Sequence, residues 1–214
     1  EYTLLAAKAG KHILVEKPAG SNIEELERMK HAVNKANVKC MPVHNYIYEA
    51  GIKRAKTMIE SGKLGNITQF YMMYNIHHAD DIRARYPGVI HQILTHHSYT
   101  MLYLAGQPKT ISCLRYTVDP TLAPQENVAM ANIQMQNGTL SHLSASFAND
   151  DHAGDPWTCL IKVLGTKGST RYSYRDWVIN ERNGAHSQTY SCYPESIKNT
   201  ATHFINNVLR EGEE

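Results

Sequence analysis

The first 45 residues alternate between helix-like and strand-like segments, and this order constrains the fold more than any other feature of the chain. A helix is predicted over residues 2–9, and a short apolar strand follows at 12–15. The capping-box pattern Ser-Asn-Ile-Glu at 21–24, with Ser21 as the cap, starts a helix that runs to about residue 36. A second apolar strand covers 40–43. Such alternation predicts a parallel sheet with helical crossovers.

The pattern changes after residues 45–50, where longer strands and hairpin turns become frequent. The pair Asn137-Gly138 lies between two strand-like runs and suits a type I′ hairpin turn. We therefore expect a short parallel α/β segment followed by a largely antiparallel α+β domain. The predicted helices cover 48–61, 89–105 and 195–209, and the predicted strands cover 67–76, 110–118, 128–136, 139–147, 157–164 and 169–174.

Composition excludes several classes of function. The 214 residues carry a formal net charge of +2 with no run of like charges, so a nucleic-acid partner is not expected. No apolar stretch reaches the length of about 18 residues that a membrane-spanning helix needs, so no membrane partner is expected. The four cysteines are widely spaced, which favours reduced thiols and a cytoplasmic location over a disulfide framework.

The segment Glu16-Lys17-Pro18 directly follows the first predicted strand. The carboxyl ends of parallel strands are where ligands bind in open α/β sheets. The proline biases Lys17 toward an extended backbone, so the ammonium group has a defined direction. We predict that Lys17 gives or takes a proton; the alternative is a solvated lysine at the end of a strand.

Three polar residues, His44, Asn45 and Tyr46, follow the second predicted strand. Strand ends of a parallel sheet meet at one edge, so these side chains are predicted to line the same pocket as Lys17. The alternative is ordinary loop polarity.

The helix predicted over 89–105 carries a candidate proton-exchange residue, His96, and a candidate site partner, Gln92. Gln92 and His96 are four residues apart and share a face, whereas His97 points about 100° away from His96. The alternative is a structural role, since the chain has twelve histidines. A zinc site is not expected, because adjacent histidines on a strand face opposite sides and no His-Glu-x-x-His pattern occurs.

The order of elements resembles the Gfo/Idh/MocA family, named after glucose–fructose oxidoreductase, inositol dehydrogenase and rhizopine catabolism. Residues 9–18, which end in Glu-Lys-Pro, look like the last Rossmann strands of that family. Residues 59–65 look like its junction into the second domain, and 164–169 look like its hairpin. His96, ten residues before Gly106, is similar to its active-site histidine. The resemblance covers nearly the whole chain, and the Glu-Lys-Pro segment is its most specific part.

The resemblance implies an α/β plus α+β fold in two domains. Residues 1–47 would be the C-terminal part of a Rossmann dinucleotide-binding domain. Residues 48–214 would be a substrate-binding and oligomerisation domain, whose mixed, largely antiparallel sheet is open on one face and has helices on the other. A homo-oligomer that forms through the open sheet is expected.

The resemblance also implies an NAD(P)-dependent dehydrogenase or reductase acting on CH–OH groups. Hydride would pass between the nicotinamide of NAD or NADP and a hydroxyl or carbonyl group of a sugar, cyclitol or related small molecule. Lys17 and His96 would share the proton. The residues expected at the cofactor are Glu16, Pro18, His44 and Asn45, and those expected at the substrate are Gln92, Tyr46 and His97.

The chain departs from the family pattern in two ways. No Gly-x-Gly-x-x-Gly fingerprint is present, so we expect a piece of a longer polypeptide. Gln92 and Tyr99 stand where the family commonly has aspartates, four residues before and three after the histidine. These replacements raise the alternative of a non-catalytic nucleotide- or sugar-sensing regulator. The intact Lys17 favours the enzyme.

Overall fold

The computed structural model describes residues 1–121, 124–148, 157–173 and 189–212. They form two compact units, Glu1–Tyr48 with Pro194–Glu214, and Glu49–Tyr193. The C-terminal helical segment thus groups with the first residues of the chain. The domain division after residue 47 stays a prediction.

The N-terminal unit contains a βαβ crossover. Helix α1 (Tyr2–Lys8) leads to strand β1 (Ile13–Val15), and helix α2 (Ile23–Ala36) connects it to strand β2 (Cys40–Pro42). The two strands pair in parallel, with Ile13 opposite Cys40. The predicted parallel sheet with a helical crossover is confirmed. Its small core is built from apolar side chains of all these elements, with Ala7, Ile13 and Val38 buried at its centre.

The cap of α2 lies one residue later than predicted. Asn22 has an extended backbone, with φ of −155°, and its side chain accepts a hydrogen bond from the Glu25 N–H at 2.8 Å. The Glu25 carboxylate in turn accepts the N–H of Ser21 at 2.8 Å. Asn22 therefore replaces Ser21 as the capping residue, because asparagine caps as well as serine and an acidic residue also stands three positions after it.

The second unit is built on a six-stranded sheet. Its strands are β3 (Ile67–Ile76), β4 (Pro108–Tyr116), β5 (Val128–Met135), β6 (Leu140–Ser146), β7 (Trp157–Gly165) and β8 (Ser169–Ser173). They are arranged in the order β4-β5-β6-β3-β7-β8. Strand β3 pairs in parallel with β6 and antiparallel with β7. The other described pairs in this sheet are antiparallel, so the mixed, largely antiparallel sheet is confirmed. Residue 174, the predicted end of β8, lies outside the described residues.

One face of the sheet is covered and the other is open. Helix α5 (Thr95–Ala105) packs against β3 and β6 on the covered face. Phe70, Met72 and Ile133 are buried there, whereas Met130 and Leu140 on the opposite face are exposed. Buried and exposed side chains alternate along β5, as the two-residue period of a strand requires, whereas all nine residues of β4 at the edge of the sheet are exposed. This alternation confirms the open-faced sheet.

The turn between β5 and β6 differs in type from the prediction. A type I′ turn needs positive φ at both Asn137 and Gly138, but of the two only Gly138 has it, at 89°. The Gly138 N–H donates to the carbonyl of Met135 at 3.1 Å, so the four-residue β-turn covers 135–138 and ends on a glycine with positive φ. Asn137 is held by its side-chain amide, which donates to the Ala105 carbonyl at 2.9 Å.

The remaining helices are short or moderate in length. They are α3 (Ala50–Glu60), α4 (Asp80–Arg83) and α6 (Thr189–His203), with a 3-10 turn at Asn45–Tyr48 and π-helical segments at Ile90–Leu94 and Phe204–Glu211. Among the described helices, none combines the length and apolarity needed to cross a membrane.

Candidate active site

Lys17 lies two residues beyond the end of β1, where the strand opens into a loop. Its N–H donates to the Glu16 carboxylate at 3.2 Å, and the Lys17–Pro18 peptide is cis. Burial removes water from the ammonium group and lowers the pKa of Lys17 from its ordinary value of 10.5, while the charge of Glu16 opposes part of this effect. A half-buried lysine with a lowered pKa can release its proton closer to neutral pH than a solvated lysine can.

The end of β2 is tied to the end of β1. The Val43 N–H donates to the Val15 carbonyl at 2.8 Å, so His44 follows its strand at the same edge at which Lys17 follows β1. Burial lowers the pKa of His44 from 6.5 to about 4. The imidazole is therefore neutral near pH 7, and it adds no positive charge to the edge that carries the Lys17 ammonium.

Asn45 and Tyr46, predicted to line the pocket, are both buried in the N-terminal unit. The Asn45 amide donates to the Ser196 hydroxyl of α6 at 3.0 Å. This bond joins the loop after β2 to the C-terminal helix. Asn45 therefore supports the loop that presents His44.

The helix predicted over 89–105 is a π-helical turn, Ile90–Leu94, followed by α5. Glu126 holds its start: the Val89 N–H donates to the Glu126 carbonyl at 2.9 Å, and the Ile90 N–H donates to its carboxylate at 3.3 Å. Gly88 has φ of 101°, and a Cβ there would lie 2.3 Å from that carboxylate. Because glycine has no Cβ, the Glu126 carboxylate can occupy the space beside Gly88.

A π-helical turn separates Gln92 from the regular part of the helix. Gln92 lies inside the turn, and His96 lies in the first turn of α5. The shared face of Gln92 and His96 was predicted from a regular α-helix, and it stays a prediction. π-helical turns occur frequently at functional sites.

His96 has a hydrogen-bond partner that the sequence analysis did not assign to the site. Its Nδ1 lies 2.6 Å from the Tyr99 hydroxyl. The His96 and Tyr99 side chains are almost fully buried, with 5% and 7% of their surface exposed, and their rings meet edge to face. The three-residue spacing on α5 was the available signal, because residues three apart on a helix are neighbours.

His97 lies in the core of the second unit. It has no exposed surface, and neither of its ring nitrogens has a hydrogen-bond partner among the described residues. Burial lowers its pKa from 6.5 to about 3. The predicted substrate contact of His97 therefore gains no support from its position, and a role in packing fits its surroundings.

We expect the neutral state of His97 to make folding sensitive to acid. Between pH 6.5 and about 3 the unfolded chain binds a proton at this residue that the folded chain does not, so stability falls as the pH drops. The fall in unfolding free energy between pH 7 and pH 5 should be roughly 2 kcal/mol smaller in His97→Met than in the parent. Urea unfolding at the two pH values measures this difference.

His31→Met is the matched control, because His31 is exposed on α2. It should show the same acid loss as the parent. Equal acid losses in the parent and in His97→Met would contradict the assignment.

The predicted site residues are divided between the two units. Lys17, Glu16, Pro18, His44, Asn45 and Tyr46 belong to the first, whereas Gln92, His96 and His97 belong to the second. Lys17 and His44 lie at the carboxyl edge of a parallel strand pair, where ligands bind in such sheets. A charged His44 would be a second fixed cation there and would repel an oxidised nicotinamide. Because His44 is neutral, the two residues fit the nicotinamide end of a dinucleotide. Within the described ranges, no cluster of three or more His, Cys, Asp or Glu side chains could hold a metal ion.

Two family models match the chain. Residues 52–171 match the Gfo/Idh/MocA C-terminal domain, and residues 1–44 match the oxidoreductase family with an NAD-binding Rossmann fold. The two matches leave out residues 45–51 and 172–214.

Two curated relatives are named as dehydrogenases. Levoglucosan dehydrogenase of Pseudarthrobacter phenanthrenivorans is 31% identical over 206 residues, which is 81% of this chain and 52% of the relative. The scyllo-inositol 2-dehydrogenase (NADP(+)) IolW of Bacillus subtilis is 28% identical over 119 residues, which is 52% of this chain and 33% of the relative. The matches thus span about half or less of each relative's length.

A solved structure agrees with the fold. The WlbA dehydrogenase of Bordetella pertussis, in complex with NADH and UDP-GlcNAcA, superposes with a TM-score of 0.76 at 19% identity. The superposition covers 99% of this chain and 66% of that one. With the family-model match over more than half of its length, this chain belongs to the Gfo/Idh/MocA family of oxidoreductases.

Proposed function

We propose that the whole protein is an NAD(P)-dependent dehydrogenase or reductase that acts on a hydroxyl or carbonyl group of a sugar, cyclitol or related small molecule. Family membership supports the oxidoreductase class, and the names of the curated relatives support this kind of substrate. The observation that carries the proposal is Lys17, whose pKa is lowered by burial just beyond β1. A bound NAD or NADP would supply the hydride acceptor or donor.

Lys17 is proposed as the group that exchanges the substrate proton. General acid–base catalysis works best when the pKa of the catalytic group lies near the operating pH, and burial moves the pKa of Lys17 in that direction. In oxidation the uncharged Nζ takes the hydroxyl proton, and in reduction the ammonium returns it to the carbonyl oxygen.

Supporting roles are proposed for the other predicted residues. His96 acts with Lys17 on the substrate oxygen, and Gln92 and Tyr46 contact substrate hydroxyls. Glu16 and Pro18 shape the loop that carries Lys17, while His44 and Asn45 form the neighbouring strand end at the cofactor. The bond from Asn45 to Ser196 supports this last role, because it fixes the backbone beside His44.

The function is tested by incubating the whole protein with NAD⁺ and NADP⁺ and a panel of polyols, cyclitols and sugars, and recording absorbance of the reduced nicotinamide. We expect turnover with at least one compound and one of the two dinucleotides. Dinucleotide binding without turnover in either direction would contradict the proposal and favour the regulatory alternative. The relatives lend no support to that alternative, because both are named as dehydrogenases.

We also propose a homo-oligomer that forms through the open sheet face, and a cytoplasmic location. The face presents exposed apolar side chains from neighbouring strands, including Leu114, which is 78% exposed, and Met130, which is 49% exposed. Exposed apolar surface of this kind is typical of an interface. A monomeric mass by light scattering would contradict the proposed homo-oligomer.

The free thiols of Cys40, Cys113 and Cys159 suit a reducing compartment, which supports the proposed cytoplasmic location.

A further inference from the structure

We infer that Glu126 is a positioning residue, which fixes to the sheet the helical segment formed by the π-helical turn Ile90–Leu94 and α5. This segment carries Gln92 and His96. The catalytic consequence rests on the proposed function, in which both residues act at the substrate. The anchor itself lies wholly within the second unit.

The helical segment begins without a cap from its own sequence. The first N–H groups of a helix have no partner inside it, and a polar side chain just before the helix commonly accepts one of them. Here that position is Val89, whose apolar side chain cannot accept a hydrogen bond. The Gln92 N–H donates to the Gly88 carbonyl at 3.0 Å in the usual helical pattern. The N–H groups of Val89 and Ile90 need acceptors from elsewhere in the fold.

Glu126, which is 36 residues beyond Ile90 in the sequence, supplies both acceptors. Its backbone carbonyl accepts the Val89 N–H at 2.9 Å, and its carboxylate accepts the Ile90 N–H at 3.3 Å. Negative charge is favoured at the N-terminal end of a helix by the helix dipole. The Glu126 side chain is only 9% exposed, and a hydrogen bond shielded from water is stronger than the same bond in solvent.

Asn127 fixes the backbone next to Glu126. Its side chain accepts the Val118 N–H at 2.8 Å and donates to the Val118 carbonyl at 2.9 Å. Its backbone N–H donates to the carbonyl of Tyr116, the last residue of β4, at 3.2 Å. Its carbonyl accepts the N–H of Phe147, which directly follows β6, at 2.8 Å. The position of Glu126 is therefore set by the sheet.

The ion pair of Glu126 contributes less to the anchor than its hydrogen bond does. Arg115 of β4 places Nη1 3.9 Å from the carboxylate, and its side chain is 71% exposed. Ion pairs of this length with a solvated partner contribute little. A glutamine at position 126 would keep an oxygen that can accept the Ile90 N–H, so we expect Glu126→Gln to retain the anchor and Glu126→Ala to lose it.

The anchor matters because it lies at the start of the helical segment. Gln92 is two residues beyond Ile90, and His96 is in the first turn of α5. A helix that is released at its first residues can shift the side chains that follow, and a displacement of about 1 Å can cost on the order of 10²-fold in rate. Lys17 belongs to the first unit and does not depend on this anchor for its place.

Amide hydrogen exchange of the whole protein, followed by NMR, measures the anchor directly. Glu126→Ala should raise the exchange rate of the Ile90 N–H by about tenfold or more, because its acceptor is removed. The Val89 N–H bonds to the backbone carbonyl of Glu126 and should stay protected in the same variant. Glu126→Gln should keep the Ile90 rate within about threefold of the parental rate. Gln125→Ala, at the exposed neighbouring position, is the matched control and should change neither amide.

The kinetic arm uses the same variants with the best substrate of the panel. Glu126→Ala should lower kcat/KM by about tenfold and raise the KM for the substrate, while the KM for the dinucleotide stays at the parental value. A variant that had merely lost folded protein would show a lower apparent kcat with both KM values unchanged. Glu126→Gln and Arg115→Gln should keep kcat/KM within about threefold of the parent.

A parental exchange rate at Ile90 in Glu126→Ala would overturn the inference. An equal loss of protection at Val89 and Ile90 would also overturn it, because that result means local unfolding. If Glu126→Ala kept the parental kcat/KM and substrate KM, the positioning role would be wrong and the dehydrogenase assignment would stand. Absence of turnover in the parent would instead refute the proposed function, and the exchange rates would still decide whether Glu126 anchors the helical segment.

Discussion

Replacing Lys17 by alanine is expected to lower kcat/KM of the whole protein by about 10²–10⁴-fold, the range that a positioned proton donor or acceptor contributes. The variant removes the group that we propose to take the hydroxyl proton in oxidation and to return it in reduction. The loss should lie mainly in kcat, because proton transfer belongs to the transition state and adds little to binding of the ground state. The measurement is the steady-state rate of nicotinamide reduction with the best substrate of the panel.

Lys11→Ala is the matched control for this prediction. Lys11 is exposed two residues before β1 and should keep the parental rate when replaced. The Kd for the dinucleotide, measured by quenching of protein fluorescence, should stay close to the parental value in both variants. If Lys17→Ala retained kcat/KM within about threefold of the parent, the lysine would not be the proton-exchange group.

Replacing Gly165 by alanine is expected to destabilise the second unit by about 3 kcal/mol, the upper part of the range for overpacking. Gly165 ends β7, and a Cβ there would lie 2.1 Å from the carbonyl oxygen of Leu64. That oxygen already accepts the Lys167 N–H at 2.9 Å, and Leu64 itself is buried. Because the clashing atom belongs to the backbone, a side-chain rotation cannot relieve the clash. A shift of the Leu64 carbonyl would break its hydrogen bond with the Lys167 N–H.

Gly168→Ala provides the control three residues away in the same hairpin. A Cβ at Gly168 would meet Leu64 Cδ2 at 3.5 Å, an ordinary contact. Urea unfolding of this variant should give a free energy within about 0.5 kcal/mol of the parent. Equal unfolding free energies for the two variants would show that the approach of Leu64 to Gly165 is not tight in solution.

Local patterns predicted much of the fold because they report on residues near one another in sequence. The apolar run before Glu16-Lys17-Pro18 and the helix that follows it were sufficient to predict a parallel strand pair. The start of β3 could be predicted for the same reason, since Gly65 and Asn66 directly precede Ile67. Errors of one residue occurred where neighbours suit the same role, as with Ser21 and Asn22 at the cap of α2.

Features that depend on distant residues could not be predicted in this way. The parallel pairing of β3 with β6 joins segments about 70 residues apart, such as Phe70 and Ser141, and no local pattern encodes that register. Glu126 hydrogen-bonds the start of the π-helical turn, and it meets Gly88 only in the folded chain. Apolar periodicity over 89–105 is equally compatible with one continuous helix.

The candidate site could be predicted as residue types but not as contacts. Lys17 and His96 stand out through their sequence neighbours, whereas the complete burial of His97 depends on how α5 packs on the sheet. Tyr99 was visible as a departure from the family pattern. Its bond to His96 follows only once the helical register is known.

The central claim is that Lys17 and His96 act on the proton of one substrate oxygen. A double-mutant cycle tests it most directly, with Lys17→Gln, His96→Gln and the combined variant compared in kcat/KM on a confirmed substrate. Substitutions of residues that act as a unit have strongly non-additive effects. The kcat/KM of the combined variant should therefore lie no more than about threefold below that of the less active single variant. Losses that multiply fully would contradict the account, because they would mean that the two side chains act independently.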